Sequence, residues 1–341
     1  LSVGNQAAEM RTAPAVSELS VRLTEGTVDE CRVRLDSQQV SVKSVLLNRG
    51  GYSYLTGPAV PGKEKQEAAP VPGGSTPSLP WTVRVGSVVL DDNRAEYGLL
   101  NHRPAAGFDP SFIVLSTLDL AVDSIYNRGA DIALQIRRMA FTERSGLTVS
   151  DMTGDIGMDA SGISLAGVTL KTPFSRIEAN ISAGEGILAL APDSPLKADL
   201  MADVNTKDLK YLYPALTPPV LDGRIVSLAL TAAGTLGDIG KAGLDISSPG
   251  HVAFTADGAA RNVLDPGRME ASARFEGDFR DMAFLEALLP DSALRRRIAI
   301  PDRIRLRGTA GADKGAFSAA STLSTDGGEI ALQGQLDTRS E

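Results

Sequence analysis

A single cysteine, Cys31, stands in 341 residues, which excludes any disulfide within the chain. With no histidine or second cysteine nearby, it also argues against a metal site there. In its strand context, Val28 to Leu35, such a thiol reads as a small buried apolar residue. Aromatic residues are scarce at 5%, while glycine is plentiful at 34 residues. That balance excludes large cores built around Trp and Phe and suits many short strands joined by tight turns. Positive charge is also lacking: the net charge is −8. A nucleic-acid backbone needs clustered Lys and Arg, so nucleic acid is excluded as the main partner. The one basic run, Arg295-Arg296-Arg297, follows an expected helix, whose C-terminus favours cations.

Long apolar runs are missing too. None reaches the ~18 residues of a transmembrane helix, and no signal-peptide pattern occurs. The chain starts at Leu1 rather than Met and reads as an excised fragment, so missing signals do not bear on location. Catalytic constellations are absent. His102 and His251 lie far apart, and each reads as a solvated residue beside a turn. There is no nucleophile elbow, Walker loop or H-E-x-x-H. Asp91-Asp92 and Asp29-Glu30 are explained by turn chemistry and edge protection. Gly184-Glu185-Gly186 and Gly327-Gly328 fit hairpin turns better than phosphate cradles. The expectation is a protein that is not an enzyme and has no metal and no cofactor.

What is present is dense alternation. With 43% hydrophobic and 22% charged residues, most of the chain can order. Residues 1–14 read as a disordered or tag-like start and 15–56 as strands. Residues 57–80 hold six prolines and no aromatic residue and read as a flexible loop. From Trp81 to residue 338 strands resume with period two, as in Val83-Val85, Ile132-Leu134-Ile136 and Val226-Leu228-Leu230. Helical spacing is brief, at about Thr206–Tyr213 and Asp278–Leu289.

A repeat organises the second half. Ala198 to Ala202 with Asp208 to Leu212 is echoed by Ala271 to Phe275 with Asp281 to Leu285; the offsets 271−198, 281−208 and 285−212 all give 73. Pro214 and Pro290 follow, then strands ending at Gly234 and Gly308, so the copies span about 198–234 and 271–308. A weaker echo sets Leu170-x-Thr172 before Ile177, Ile246-x-Ser248 before Val252, and Leu323-x-Thr325 before Ile330. Each reads as a strand, a turn and a return strand. Repeats of this kind bury apolar faces against their neighbours. The fold class expected is mostly β, an elongated, folded-over antiparallel sheet enclosing a groove, with a few short helices. Many apolar positions hold Ala, Val or Leu, which leaves space that Phe would fill.

Several segments resemble a known family. They are Trp81-x-Val83-x-Val85-x-x-Val88-x-Leu90, Gly107-Phe108-Asp109-x-x-Phe112-Ile113, and Leu118-x-Leu120 with Tyr126. Phe141-x-Glu143-Arg144-Ser145-Gly146-Leu147 and Leu170-x-Thr172-x-x-Ser175 add to them. So do Asp208–Pro214, Asp281–Pro290, Ile298-x-Ile300-Pro301 and Ile304-x-Leu306-x-Gly308. Together, over roughly residues 16–338, the chain resembles the TamB proteins of Bacteroidota, within the AsmA-like family. The resemblance implies a β-groove in the periplasm, tethered to the inner membrane in the full-length protein. It implies carriage of phospholipid or another acyl-chain lipid, support of outer-membrane biogenesis, and an outer-membrane barrel partner reached through regions absent here.

Acyl chains need a dry path, since each CH₂ exposed to water costs about 0.8 kcal/mol. The lining expected is Ile163, Leu165, Val168, Leu170, Ile177, Ile181, Leu200, Val226, Leu228, Leu230, Val252, Phe254, Ile304 and Leu306. A closed protein core would use the same residues. Two other functions fit the sequence: a structural or adhesive β-sandwich or solenoid protein, and a scaffold for outer-membrane protein assembly. Tandem sandwiches would show a linker about every 100 residues. Only 57–80 qualifies, which favours a continuous sheet.

Overall fold

The computed structural model describes residues 2–12, 17–57, 81–185, 191–212, 223–281 and 301–338. Among them it holds nineteen strands and one helix, so the protein is mostly β, as the alternation predicts. The expected loop at 58–80, Pro214, Pro290 and the Arg295–Arg297 run lie outside the described residues. Two compact units divide the chain, Leu1–Thr153 and Gly154–Glu341.

The first unit contains β1 (Ser2–Thr12), β2 (Ser17–Asp29), β3 (Arg32–Arg34), β4 (Gln39–Asn48) and β5 (Gly51–Thr56). After these come β6 (Thr82–Leu99), β7 (Phe112–Arg128) and β8 (Asp131–Glu143). Within the stretch 1–14, read in the sequence as a disordered or tag-like start, Ser2–Thr12 forms a strand paired with β2. An extended segment beside an open strand edge satisfies its backbone groups most simply by pairing with it. β2 and β3 run against β4 and β5 as one long hairpin in unbroken register, with Ser17 opposite Thr56, Glu25 opposite Asn48 and Arg34 opposite Gln39.

The all-antiparallel expectation fails at the next neighbour. β4 and β5 pair with β6 in parallel, Gln39 opposite Thr82 and Gly51 opposite Arg94. Residues 57–81 carry the chain back to the end from which β4 started, and parallel pairing needs such a crossover. From β6 onward the pairing is antiparallel, β6 with β7 and β7 with β8. This unit holds most of the buried apolar side chains: Val114, Leu118, Val122, Ile136 and Val149. Cys31 is exposed, correcting the buried reading. It follows Glu30, a residue with φ of 46° at the break between β2 and β3, where alternation no longer fixes which way a side chain faces.

β9 (Thr148–Asp159) spans the boundary between the units. The second unit then runs β10 (Gly162–Lys171), β11 (Arg176–Gly184), β12 (Pro195–Asn205), α1 (Thr206–Leu212), β13 (Ile225–Thr235) and β14 (Ile239–Ser248). It closes with β15 (Val252–Arg261), β16 (Glu270–Arg280), β17 (Arg303–Asp313), β18 (Ala316–Thr325) and β19 (Gly328–Asp337). Each strand from β10 to β19 pairs antiparallel with the next in sequence. The three weak echoes are the hairpins β10–β11, β14–β15 and β18–β19, with Leu170 opposite Ile177 and Leu323 opposite Ile330.

The strong repeat corresponds to β12 and β16, both of 11 residues. Its first helix is α1, whose N-terminus is capped by Asn205: the side-chain oxygen accepts the Lys207 N–H at 3.0 Å. The second helix was expected from Asp278, but Asp278 to Arg280 belong to β16; 282–289 lie outside the described residues. Arg303 holds the Asp278 carboxylate through two hydrogen bonds, one of 2.9 Å from Nε, and so fixes this stretch in the ladder. Gly234 and Gly308 are not register equivalents, since Gly234 faces Leu196 and Gly308 faces Phe275, within the other copy of the repeated strand.

Candidate functional site

The candidate site is one face of the second unit's sheet. Residues directly opposite each other in a ladder share a face. Leu170 faces Ile177, Ile177 faces Ala202, Ala202 faces Leu228, and Leu228 faces Ile246. The line continues through Phe254, Gly277, Leu306 and Leu323 to Ile330. Followed in this way, all fourteen expected lining residues fall on one face: Ile163, Leu165, Val168, Leu170, Ile177, Ile181, Leu200, Val226, Leu228, Leu230, Val252, Phe254, Ile304 and Leu306.

Strict alternation alone would separate Ile163 and Leu165 from Val168 and Leu170. A bulge at Ala166-Gly167 reunites them, since the register shifts between Leu165 and Val168. Gly167 takes φ of 58°, and its N–H is held by the Asn180 side-chain oxygen at 2.8 Å. A similar irregularity between Ile239 and Ala242 keeps β14 in phase. Across the ten strands β10 to β19 no paired position on this face is charged; Ser248, Ser321 and Thr325 are its only polar side chains. The charges sit opposite, for example Glu178, Asp203, Asp245, Arg274, Glu276 and Arg307.

Among the described residues no second layer closes this face. Among the described residues, the extensive contacts of each strand are with its ladder neighbours, and α1 touches β12. Of the apolar residues on the face, only Ala179 and Ala202 are buried; Leu230 is 38% exposed and Ile330 55%. A row of small residues crosses it, Ala198, Ala232, Ala242, Gly258, Ala273, Ala310, Ala319 and Gly334, one from each strand from β12 to β19. Leu200, Leu230, Leu244 and Phe275 stand beside it on one flank. At about 4.8 Å per strand the row is about 34 Å long. No sequence pattern marks it, because its members come into line only through the register.

Polar pins close one end of the sheet. Asp208, 5% exposed, accepts hydrogen bonds from the Thr172 and Ser175 hydroxyls, both at 2.5 Å. Ser175 Oγ in turn accepts the Asn205 N–H at 2.9 Å. At the same place in the next repeat, Asp281 lies 3.3 Å from His251 Nδ1 and 3.6 Å from Arg224 Nη2. Both repeats therefore set an aspartate beside the turn of the preceding hairpin, hydrogen-bonded to it in the first copy and close to His251 in the second. His251 is half-buried beside Asp281, which corrects the reading of it as solvated.

In the first unit His102 is likewise half-buried, with Nε2 2.8 Å from Asp109 Oδ2. Asp109 also accepts the Ala105 and Ser111 N–H groups at 2.9 Å. The Ala105 N–H, with help from His102 and Ser111, lowers its pKa to about 2. Arg144 clamps the same loop by donating to the Ala105 and Gly107 carbonyls at 3.0 and 2.8 Å. These pins hold loops. Apart from the hydroxyls of Ser248, Ser321 and Thr325, the paired positions of this face carry only apolar residues, and what it offers chemically is apolar surface. Among the described residues no group of three or more potential metal ligands occurs. No helix among them is long and apolar enough to cross a membrane.

Comparison with known protein families, with curated proteins and with solved structures finds no match for this chain.

Proposed function

We propose that the second unit binds the acyl chains of phospholipid on its uncovered apolar face and conducts them along the sheet. In this reading the chain is part of a cell-envelope protein. It works in the periplasm, is tethered to the inner membrane in its full-length form, and serves outer-membrane biogenesis together with an outer-membrane barrel partner. The observation that carries the reading is a face whose paired positions are charge-free over ten strands, with no second layer on it among the described residues. Monomeric soluble proteins rarely leave contiguous apolar surface of this extent in water, and larger patches mark interaction sites. The row of small residues supports the reading further. It leaves a shallow track between larger side chains, and its length is about twice the ~15 Å hydrocarbon depth of one leaflet. The resemblance noted in the sequence supplies the envelope setting.

The test is native mass spectrometry with lipid extraction on protein purified from bacterial membranes and periplasm. The expected result is co-purifying phospholipid that is lost when Leu228 and Leu170 are changed to Asp while the sheet stays folded. A folded protein without lipid, closed to apolar dyes, overturns the proposal and leaves a structural role in front.

A further inference from the structure

Where the apolar face of the second unit ends at Val226, Val252 and Phe279, three ionisable side chains meet. Arg224 lies two residues before Val226, on the same side of the strand by alternation. His251 directly precedes Val252, and Asp281 lies two residues beyond Phe279. Asp281 Oδ2 gathers them, with His251 Nδ1 at 3.3 Å and Arg224 Nη2 at 3.6 Å. Neither approach is a hydrogen bond. Arg224 Nη1 and His251 Nδ1 are buried atoms without any hydrogen-bond partner, an arrangement that proteins rarely leave unfilled. The first repeat shows the finished form of such a pin: Asp208 is 5% exposed and takes both hydroxyls offered to it. Asp281 instead keeps 59% of its side chain exposed. The second copy thus holds two nitrogens with unused capacity beside an open carboxylate.

We propose that Arg224, His251 and Asp281 receive the headgroup of an aminophospholipid, a phosphate ester with an ammonium two carbons away; this rests on the acyl-chain reading above. The phosphate accepts from Arg224 Nη1 and from the His251 ring, bonds strengthened by charge and suited to the guanidinium fork. His251 donates through Nδ1 either as the imidazolium or as the Nδ1–H tautomer. The ammonium turns to the open side of Asp281. Neither half serves alone. A purely anionic headgroup, such as phosphoglycerol, satisfies Arg224 but sets its charge against Asp281. A lone cation satisfies Asp281 and leaves both buried nitrogens as they are. The position agrees with the chemistry. Acyl chains lying on the apolar face reach its end at Val226, Val252 and Phe279, and a polar head belongs at that rim.

The test offers the full chain vesicles of dioleoyl phosphatidylethanolamine and dioleoyl phosphatidylglycerol in equal amounts, then extracts and quantifies the bound lipid. Phosphatidylethanolamine is expected to be enriched severalfold. Asp281→Asn keeps the side chain's shape and tolerates the left-handed φ of 52°, and it should bring the ratio near one. Arg224→Gln should lower phosphatidylethanolamine uptake severalfold, with circular dichroism confirming the fold of both variants. A second measurement is independent of acyl chains. Glycerophosphoethanolamine should shift the His251 ring signals in NMR saturably and leave those of His102 in place, whereas inorganic phosphate at the same concentration should not. Equal uptake of the two lipids, or enrichment unchanged in Asp281→Asn, overturns this inference and leaves acyl-chain binding standing. Phosphate that shifts His251 as strongly as glycerophosphoethanolamine makes it a free-anion site and overturns it too. Uptake of neither lipid fails the acyl-chain reading itself, and this inference with it.

Discussion

Asn93 is the most informative single residue of the first unit. It is 1% exposed, in the middle of β6, where the left-handed Asp92 (φ 51°) and Arg49 (φ 52°) break two neighbouring strands at the same level. Its side-chain oxygen accepts the Gly50 N–H at 2.8 Å, and its amide donates to the Leu47 and Asp91 carbonyls, both at 2.9 Å. One side chain thus bonds backbone groups of both strands where their left-handed residues interrupt them. Asn93→Ala should cost about 2–4 kcal/mol in denaturant unfolding, because a buried N–H and two carbonyls lose their partners. Asn93→Asp should be no rescue, since it swaps a donor for charge where two carbonyls converge. Asp109 gives a second expectation at this scale. Its pKa is lowered to about 2, so the stabilisation it lends is present above the ordinary carboxylate value near 4. That stabilisation is lost as pH falls through about 2. Hydrogen exchange at 102–111 should rise over this window in the native protein, and Asp109→Asn should abolish the acid-dependent part.

Among elements, β10 shows what alternation can and cannot reveal. Ile163 and Leu165, then Val168 and Leu170, announce in the sequence that the phase changes between them, and the Ala166-Gly167 bulge is where it does. Gly167→Val should destabilise the second unit by about 1–3 kcal/mol in a thermal or denaturant melt, since a β-branched residue resists φ of 58°. α1 shows the complementary case. The sequence marks a short helix and an aspartate at position 208, but not the Thr172 and Ser175 hydroxyls that the aspartate holds. Asp208→Ala takes this acceptor from the buried Ser175 hydroxyl and the half-buried Thr172 hydroxyl, and a loss of about 2–3 kcal/mol is expected on chemical unfolding. The parallel pairing of β4 and β5 with β6 was not legible either. Period two fixes which face a side chain takes, and it is silent on which strand lies alongside when residues 57–81 intervene. The histidines were misread for a related reason. His102 and His251 owe their surroundings to Asp109 and Asp281, and a turn residue's partner across a loop or hairpin leaves no periodic trace.

At the scale of the second unit, the fourteen apolar positions were legible because each strand repeats the same two-residue code. The crossing row of Ala and Gly was not, because it belongs to the register between strands. That row yields a test of capacity rather than stability. Ala242→Phe adds volume to a surface that no other layer among the described residues opposes, so folding should be unaffected while bound lipid, read by extraction, falls severalfold. The same unit has a further property. Among the described residues, each strand from β10 to β19 pairs only with its neighbours in sequence. Such a meander can form plank by plank as the chain emerges, without waiting for distant partners. It can also gain or lose a hairpin without disturbing the packing elsewhere. Span is then a quantity that can drift over generations while the local stability of each plank stays the same.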